Sequence, residues 1–145
     1  MKFTELVGRP VLDLATATTI GTVNDAMVDP VTGRVVGFDL RKTPGKASWL
    51  GWDQVKAVGA DAVTVDALDA VTEAPADRGR LLRSGKIIGG RVLTDQGVAL
   101  AHLVDVDLDP STGQVDTLVL GDGATVASAD LLGIGSYATV VRNPA

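Results

Sequence analysis

The sequence predicts an all-β protein built as two small antiparallel β-barrels in tandem, related by a pseudo-twofold internal repeat. Its composition favours short strands and many turns, because it has 17 Gly and 6 Pro, and 16 of its 18 acidic residues are Asp. The hairpin motif Asp-Pro-x-Thr-Gly occurs at 29–33 and again at 109–113. Hydrophobic residues make up 46% of the 145 residues, which is sufficient for a core.

The similarity between the two halves extends beyond the hairpin motif. The segments GRPVLD and GRVLTD match at an offset of 82 residues, the hairpins match at 80, and the segments after them match at 76. Offsets that change between matching segments are typical of a duplicated domain whose loops have changed length. We therefore predict a first repeat over 1–68, a linker with room for one short helical turn over 69–87, and a second repeat over 88–145.

The strand before each hairpin predicts a β-bulge. Val23, Ala26 and Val28 are all apolar, but a strict period of two cannot place positions 23 and 26 on the same face. One extra residue near Asn24-Asp25 would let all three side chains reach the core. The second copy has the same pattern and predicts a bulge near Val104-Asp105.

The repeated hairpin motif is explained by turn geometry. Asp accepts hydrogen bonds from the amides of the turn, Pro fixes φ at the next position, and Gly supplies the positive φ needed to enter the following strand. The residues assigned to this structural role are Asp29, Pro30, Gly33, Asp109, Pro110 and Gly113.

The order of these segments resembles that of a known family. GRPVLD, then VNDAMVDPVTGRVVGFDL, then WDQVKAVGADAVTV is similar to a PRC-barrel domain, the module of the photosynthetic reaction-centre H subunit and of the bacterial ribosome maturation factor. The second half is similar, so the chain resembles the stand-alone tandem PRC-barrel proteins. The resemblance implies an interaction module with no catalytic motif and no cofactor. The Ala, Val, Gly and Asp usage is typical of a GC-rich bacterium such as an actinomycete.

Charge and composition exclude several classes of function. A net charge of −5 and a pI near 4.7 oppose nucleic-acid binding, so nucleic acid is not the expected partner. With no Cys and one His, thiolate chemistry and the usual zinc sites cannot be assembled within one chain. No window is apolar enough for a membrane span, so we expect no membrane insertion and a cytoplasmic protein.

One acidic cluster has a spacing close to that of a calcium loop. Asp105, Asp107 and Asp109 alternate along the strand and turn of the second copy, and hard cations prefer carboxylate oxygens. However, Pro110 stands where such loops need Gly, and Asp116 stands where they need Glu. The sequence therefore favours solvated strand and turn carboxylates over a metal site.

The candidates for partner binding are aromatic or basic. Trp49 is expected nearer the surface than Trp52, which is expected to pack in the barrel, and aromatic side chains anchor interfaces. The loop RKTPGK is four residues longer than its counterpart, which is typical of a specificity loop, and the linker is basic. The full set of candidates is Trp49, Arg41, Lys42, Lys46, Arg80 and Arg83.

Three functions are compatible with the sequence. The leading hypothesis is a non-enzymatic adaptor that binds an unidentified protein and can also form a homodimer, because a 60-residue barrel is marginally stable alone. The alternative is a ribosome- or RNA-associated factor that uses the linker arginines. The third is a small-ligand or calcium-binding module in a groove between the barrels.

Overall fold

A computed structural model describes residues 1–143, and strands predominate in it at 45%, which confirms the all-β class. Residues 1–72 contain α1 (Phe3–Leu6), β1 (Pro10–Asp13), β2 (Thr18–Asp29), β3 (Arg34–Arg41), β4 (Trp49–Gly51), β5 (Ala57–Val58), β6 (Val63–Val65) and β7 (Val71–Thr72). The rest contains β8 (Leu82–Arg83), α2 (Ser84–Ile87), β9 (Val92–Thr94), β10 (Leu103–Leu108), β11 (Val115–Leu120), β12 (Thr125–Ala127), β13 (Leu131–Ile134) and β14 (Thr139–Val141). Single 3-10 turns lie at Trp52–Gln54, Leu68–Ala70, Arg78–Arg80 and Ser128–Asp130.

Neither α-helix exceeds one turn, and none of the helices among residues 1–143 is long and apolar enough to cross a membrane.

The strands form one large sheet and two small ones. The large sheet has the order β5-β6-β1-β2-β3-β4-β7, with β8 also paired to β2, and the small sheets have the orders β10-β11-β12 and β13-β14-β9. No strand pairing among residues 1–143 closes a ring, so the arrangement as two tandem barrels is not confirmed.

The expectation of purely antiparallel sheets is wrong at one place in each repeat. Val11 of β1 pairs with Val63 of β6 in parallel, and Val92 of β9 pairs with Thr139 of β14 in the same way. Four strands lie between the two paired strands of each repeat, and a connection of that length allows the chain to return in the same direction.

The parallel pairs also correct the alignment at the start of the repeats. They make Val11 equivalent to Val92, an offset of 81 rather than 82. Asp13 and Thr94 agree with this offset, because both side chains are buried and accept a backbone N–H two residues ahead. The shared Gly-Arg letters are therefore displaced by one position, and in a strand a one-residue shift exchanges the two faces.

Both predicted β-bulges are confirmed. Asn24 is the extra residue between the pairs that Val23 and Asp25 make with β3, and Val104 is the extra residue at the same place in β10. As a result Val23, Ala26 and Val28 are all fully buried, as are their counterparts in β10. Each hairpin has a second irregularity nearer its turn, between Met27 and Val28 and between Asp107 and Leu108.

The hydrophobic core is shared by the two repeats. A single cluster of buried side chains includes Phe38 and Leu50 from the first repeat and Leu108 and Leu118 from the second. The predicted linker is also part of the folded structure. Its strand β8 pairs with β2, and α2 is the equivalent in the second repeat of α1 in the first. The two repeats are therefore packed as one body, and the equivalent elements of the second begin at residue 82.

Candidate functional site at the interface of the repeats

The two repeated hairpins pair with each other. The backbone N–H of Val35 donates to the carbonyl of Gly113 over 2.9 Å, and the N–H of Val115 donates to the carbonyl of Gly33 over 3.4 Å. The two bonds are equivalent, because Val35 corresponds to Val115 and Gly33 to Gly113 at the offset of 80. A pseudo-twofold axis therefore passes between the hairpins.

The turns have the geometry that their sequence predicted. Asp29 Oδ1 accepts the N–H of Val31 at 2.9 Å, and Asp109 Oδ1 accepts the N–H of Ser111 at 2.8 Å. The glycines that close the two turns have φ of +68° and +76°. This leaves Asp109 in a turn role, with its carboxylate directed at the backbone.

The segment that begins each repeat lies against the other repeat. The carbonyl of Met1 accepts the N–H of Leu108 at 2.8 Å, and Leu82 and Arg83 pair with β2 at the equivalent place. The Met1 ammonium also donates to Asp107 Oδ1 at 2.6 Å. Each starting segment therefore adds to the strand that precedes the other repeat's hairpin.

The aspartate at each bulge holds the helix that follows this segment. Asp25 Oδ1 accepts the N–H of Gly85 at 3.0 Å and the hydroxyl of Ser84 at 3.2 Å. Asp105 accepts the N–H and the hydroxyl of Thr4. No group of three or more His, Cys, Asp or Glu side chains is arranged to hold a metal ion in the part of the chain that the structure describes.

The expected surface position of Trp49 is wrong. Trp49 is only 7% exposed and packs with Met27 and Leu81 in a second, smaller cluster on the outer face of the large sheet. Its indole lies over Gly37, where a Cβ atom would come within 2.3 Å of the ring. The missing side chain at position 37 and the overlying linker explain the burial, so Trp49 cannot be an exposed anchor.

Trp52 lies where the two repeats meet. Its ring is half-buried, with its centroid 5.8 Å from that of Phe38, and it also lies beside Gly113. A cavity of about 380 Å³ adjoins it, lined by Trp52, Val55, Lys56, Ala57, Val58, Pro110 and Ser111. This is the groove between the repeats in which the sequence suggested a small-ligand site.

Two of the linker arginines form ion pairs with the first repeat. Arg78 makes a two-pronged contact with the half-buried Asp39. Arg80 bridges Asp77 at 2.9 Å and Asp29 at 3.0 Å. The pKa of Asp29 is lowered, first by the hydrogen bond from the Val31 amide that closes its turn and then by the hydrogen bond from the Arg80 guanidinium.

The remaining basic candidates are exposed but lie in different places. Arg41 is the last residue of β3, and Lys42 and Lys46 lie on the long loop between β3 and β4. Lys42 has φ of +58°. Arg83 lies on β8, at the edge of a different groove. The structure therefore does not bring the loop cations and the linker cations into one patch.

Two grooves of the second repeat contain residues that the sequence analysis did not assign. One cavity, of about 330 Å³, is lined by Leu100, Thr125, Val126, Ala127, Asp130, Val141, Arg142 and Asn143. The other, of about 280 Å³, is lined by Leu81, Leu82, Arg83, Lys86, Ile87, Gly135 and Ser136. Neither groove could be found in the sequence, because each combines segments that are far apart in the chain.

The strand order, the bulged hairpin and the paired turns define the first repeat as a small β-domain. The family model of the PRC-barrel domain matches residues 1–71. This match confirms, for residues 1–71, the resemblance to the PRC-barrel family seen in the sequence. No curated protein matches the chain.

Proposed function

We propose that this chain is a non-enzymatic, cytoplasmic protein-binding module that takes an extended peptide segment along β12. The proposal rests on a comparison between the two repeats of the same chain. In the first repeat the equivalent strand, β4, already has such a segment on its outer side, namely β7 of the same chain.

The first repeat serves as the template for the complex. Trp49 and Leu50 of β4 pair with Thr72 and Val71 of β7. The residue before β7, Ala70, is buried against the main core. The segment thus combines strand hydrogen bonds with one small apolar side chain that fills a groove.

The second repeat has an equivalent strand edge in β12. Leu50 corresponds to Val126 at the offset of 76, and within residues 1–143 the named strand that pairs with β12 is β11. Beside this edge the cavity of about 330 Å³ has an apolar floor of Leu100, Val126 and Val141. A strand edge next to an apolar pocket is the arrangement by which proteins add a peptide strand to a sheet.

The template also defines the ligand. We expect an extended segment with a small apolar residue in the cavity and a β-branched residue next to it, as in Ala70-Val71. The Asp130–Arg142 ion pair, with an N–O distance of 3.5 Å and both side chains more than half exposed, lies at the rim of the cavity. Main-chain hydrogen bonds would supply most of the affinity, and the cavity would supply selectivity.

Titration of the 145-residue protein with a synthetic peptide of residues 67–74 tests the proposal by amide NMR. Shift changes are expected at 125–127 and around Leu100 and Val141, but not at β4. The same peptide with Val71→Pro should bind much more weakly, because proline removes a donor and disfavours strand pairing.

The matched protein variants are Val126→Lys, which places a charge in the cavity, and Ala60→Lys, which adds the same charge on an exposed site of the first repeat. Loss of binding in the first variant alone is expected. Saturable shifts that are unchanged by Val126→Lys, or no saturable shifts at all, would show that this edge does not bind a strand. The barrel form of each repeat and the homodimer remain predictions that this experiment does not address.

A further inference from the structure

A second groove lies at the start of the second repeat, on a different surface from the β12 edge. It runs between α2 and the loop 135–138, which joins β13 to β14. Leu81 and Ile87 form a buried apolar floor, while Arg83, Lys86 and Ser136 are exposed along its sides. We refer to these five residues as the basic groove.

The cations of the basic groove differ from the other linker cations. Arg78 and Arg80 are both neutralised by aspartates, whereas Arg83 and Lys86 form no ion pair among residues 1–143. The lining of the cavity contains no acidic residue. In a protein with a net charge of −5, such a site stands out as a local positive field that would attract a negatively charged group.

The groove continues past Lys86 and Ser136 to an aromatic side chain. A smaller cavity shares these two residues and extends to Arg91 and Tyr137. The Arg91 guanidinium lies 4.8 Å from the centroid of the Tyr137 ring, and its Nη1 donates to the Tyr137 hydroxyl at 3.1 Å. Tyr137 is 71% exposed although this pair of contacts restrains its ring. Exposed Tyr and Arg side chains that are already ordered are typical anchors of protein interfaces.

We infer that the basic groove, extended by Arg91 and Tyr137, binds an acidic segment of another protein that also carries an aliphatic side chain. Its carboxylates would face Arg83, Lys86 and Arg91, and its aliphatic side chain would cover the apolar floor. A nucleic acid fits less well, because bound bases stack on aromatic rings, whereas the floor of the basic groove is aliphatic.

Fluorescence anisotropy with the full chain and a labelled peptide, Asp-Glu-Leu-Asp-Glu-Leu, tests this inference. We expect saturable binding that weakens when salt is raised from about 50 to about 500 mM, because screening shortens the range of the attraction. Lys86→Glu and Arg83→Glu should each raise the Kd about five-fold or more, since each replaces an attraction by a repulsion. Replacement of both peptide leucines by serine should also weaken binding.

The matched control is Lys46→Glu, which makes the same charge change on the long loop of the first repeat. Equal weakening by Lys46→Glu and Lys86→Glu would reveal a net-charge effect and overturn the assignment. Absence of saturable peptide binding would overturn it too, as would tighter binding of an oligouridylate of about ten nucleotides with the same dependence on Lys86. Because Val126 lies outside this groove, Val126→Lys should leave the binding of the acidic peptide unchanged, which separates this result from the test of the β12 edge.

Discussion

Substitution of the two hairpin glycines by alanine should have unequal effects, although the two turns have the same sequence pattern. Both glycines have a positive φ, so each alanine pays the cost of a left-handed backbone, about 1–2 kcal/mol of unfolding free energy. At Gly33 the added methyl group would meet no atom closer than 3.9 Å. Gly33→Ala should therefore cost little beyond that backbone term.

The environment of Gly113 is much more crowded. Its methyl group would lie 2.8 Å from the carbonyl oxygen of Val35 and 3.2 Å from the Trp52 ring. Val35 is also the residue whose N–H donates to the Gly113 carbonyl, so the clash would push the hairpins apart. Overpacking of this kind costs a further 1–3 kcal/mol or so, which gives about 2–5 kcal/mol for Gly113→Ala.

Urea unfolding followed by circular dichroism measures both values against the unaltered protein. The double variant adds a check, since both residues belong to the same pair of hydrogen bonds and their effects should not be additive. Equal losses for the two single variants, or a larger loss for Gly33→Ala, would show that Gly113 is not packed closely against Val35 and Trp52.

Three further predictions concern the linker and the acidic turn. In a Trp52→Phe variant, Trp49 is the remaining tryptophan, and because it is buried, acrylamide should quench its fluorescence less than that of an exposed indole. Efficient quenching would show that the linker does not cover Trp49. Arg78→Ala should lower the unfolding free energy by about 1–3 kcal/mol, as expected for a partly buried hydrogen-bonded charge. Arg142→Ala, which removes an exposed ion pair, should lower it by only about 0–1 kcal/mol. Similar losses for the two variants in urea unfolding would refute this difference. Because the pKa of Asp29 is lowered on folding, its contribution is complete above the unfolded-state pKa of about 4 and is lost as the pH falls through the lower folded value. The stability advantage over Asp29→Asn should therefore shrink on acidification below about pH 4, and an advantage that grew there would contradict the assigned direction.

Local chemistry explains why much of the fold could be predicted from the sequence. The turn residues were identified because Asp, Pro and Gly each fulfil a backbone requirement that does not depend on the rest of the molecule. The bulges were predicted because Val23, Ala26 and Val28 cannot share one face of a regular strand. Both features depend only on neighbouring residues, so each occurs in both copies.

The misplaced features depend on contacts between distant residues. Trp49 was expected at the surface because nothing in its own segment shows that Gly37 and Leu81 enclose it. The offset of 82 followed from identical letters, whereas the register is set by the pairing of Val11 with Val63. The two grooves of the second repeat combine segments that are far apart in the chain, so no single stretch of sequence contains their pattern.

The reciprocal contacts between the repeats make the chain a covalently tethered version of a two-chain dimer. Each half contributes a starting segment to the other, and the equivalent bonds occur in both directions. A cut between residues 73 and 77 would leave all of these contacts intact and remove only the connection, so the unimolecular association would become a bimolecular one. The complementary halves would then hold together only as far as their concentration replaces the tether, which for a short connection is equivalent to roughly millimolar partner.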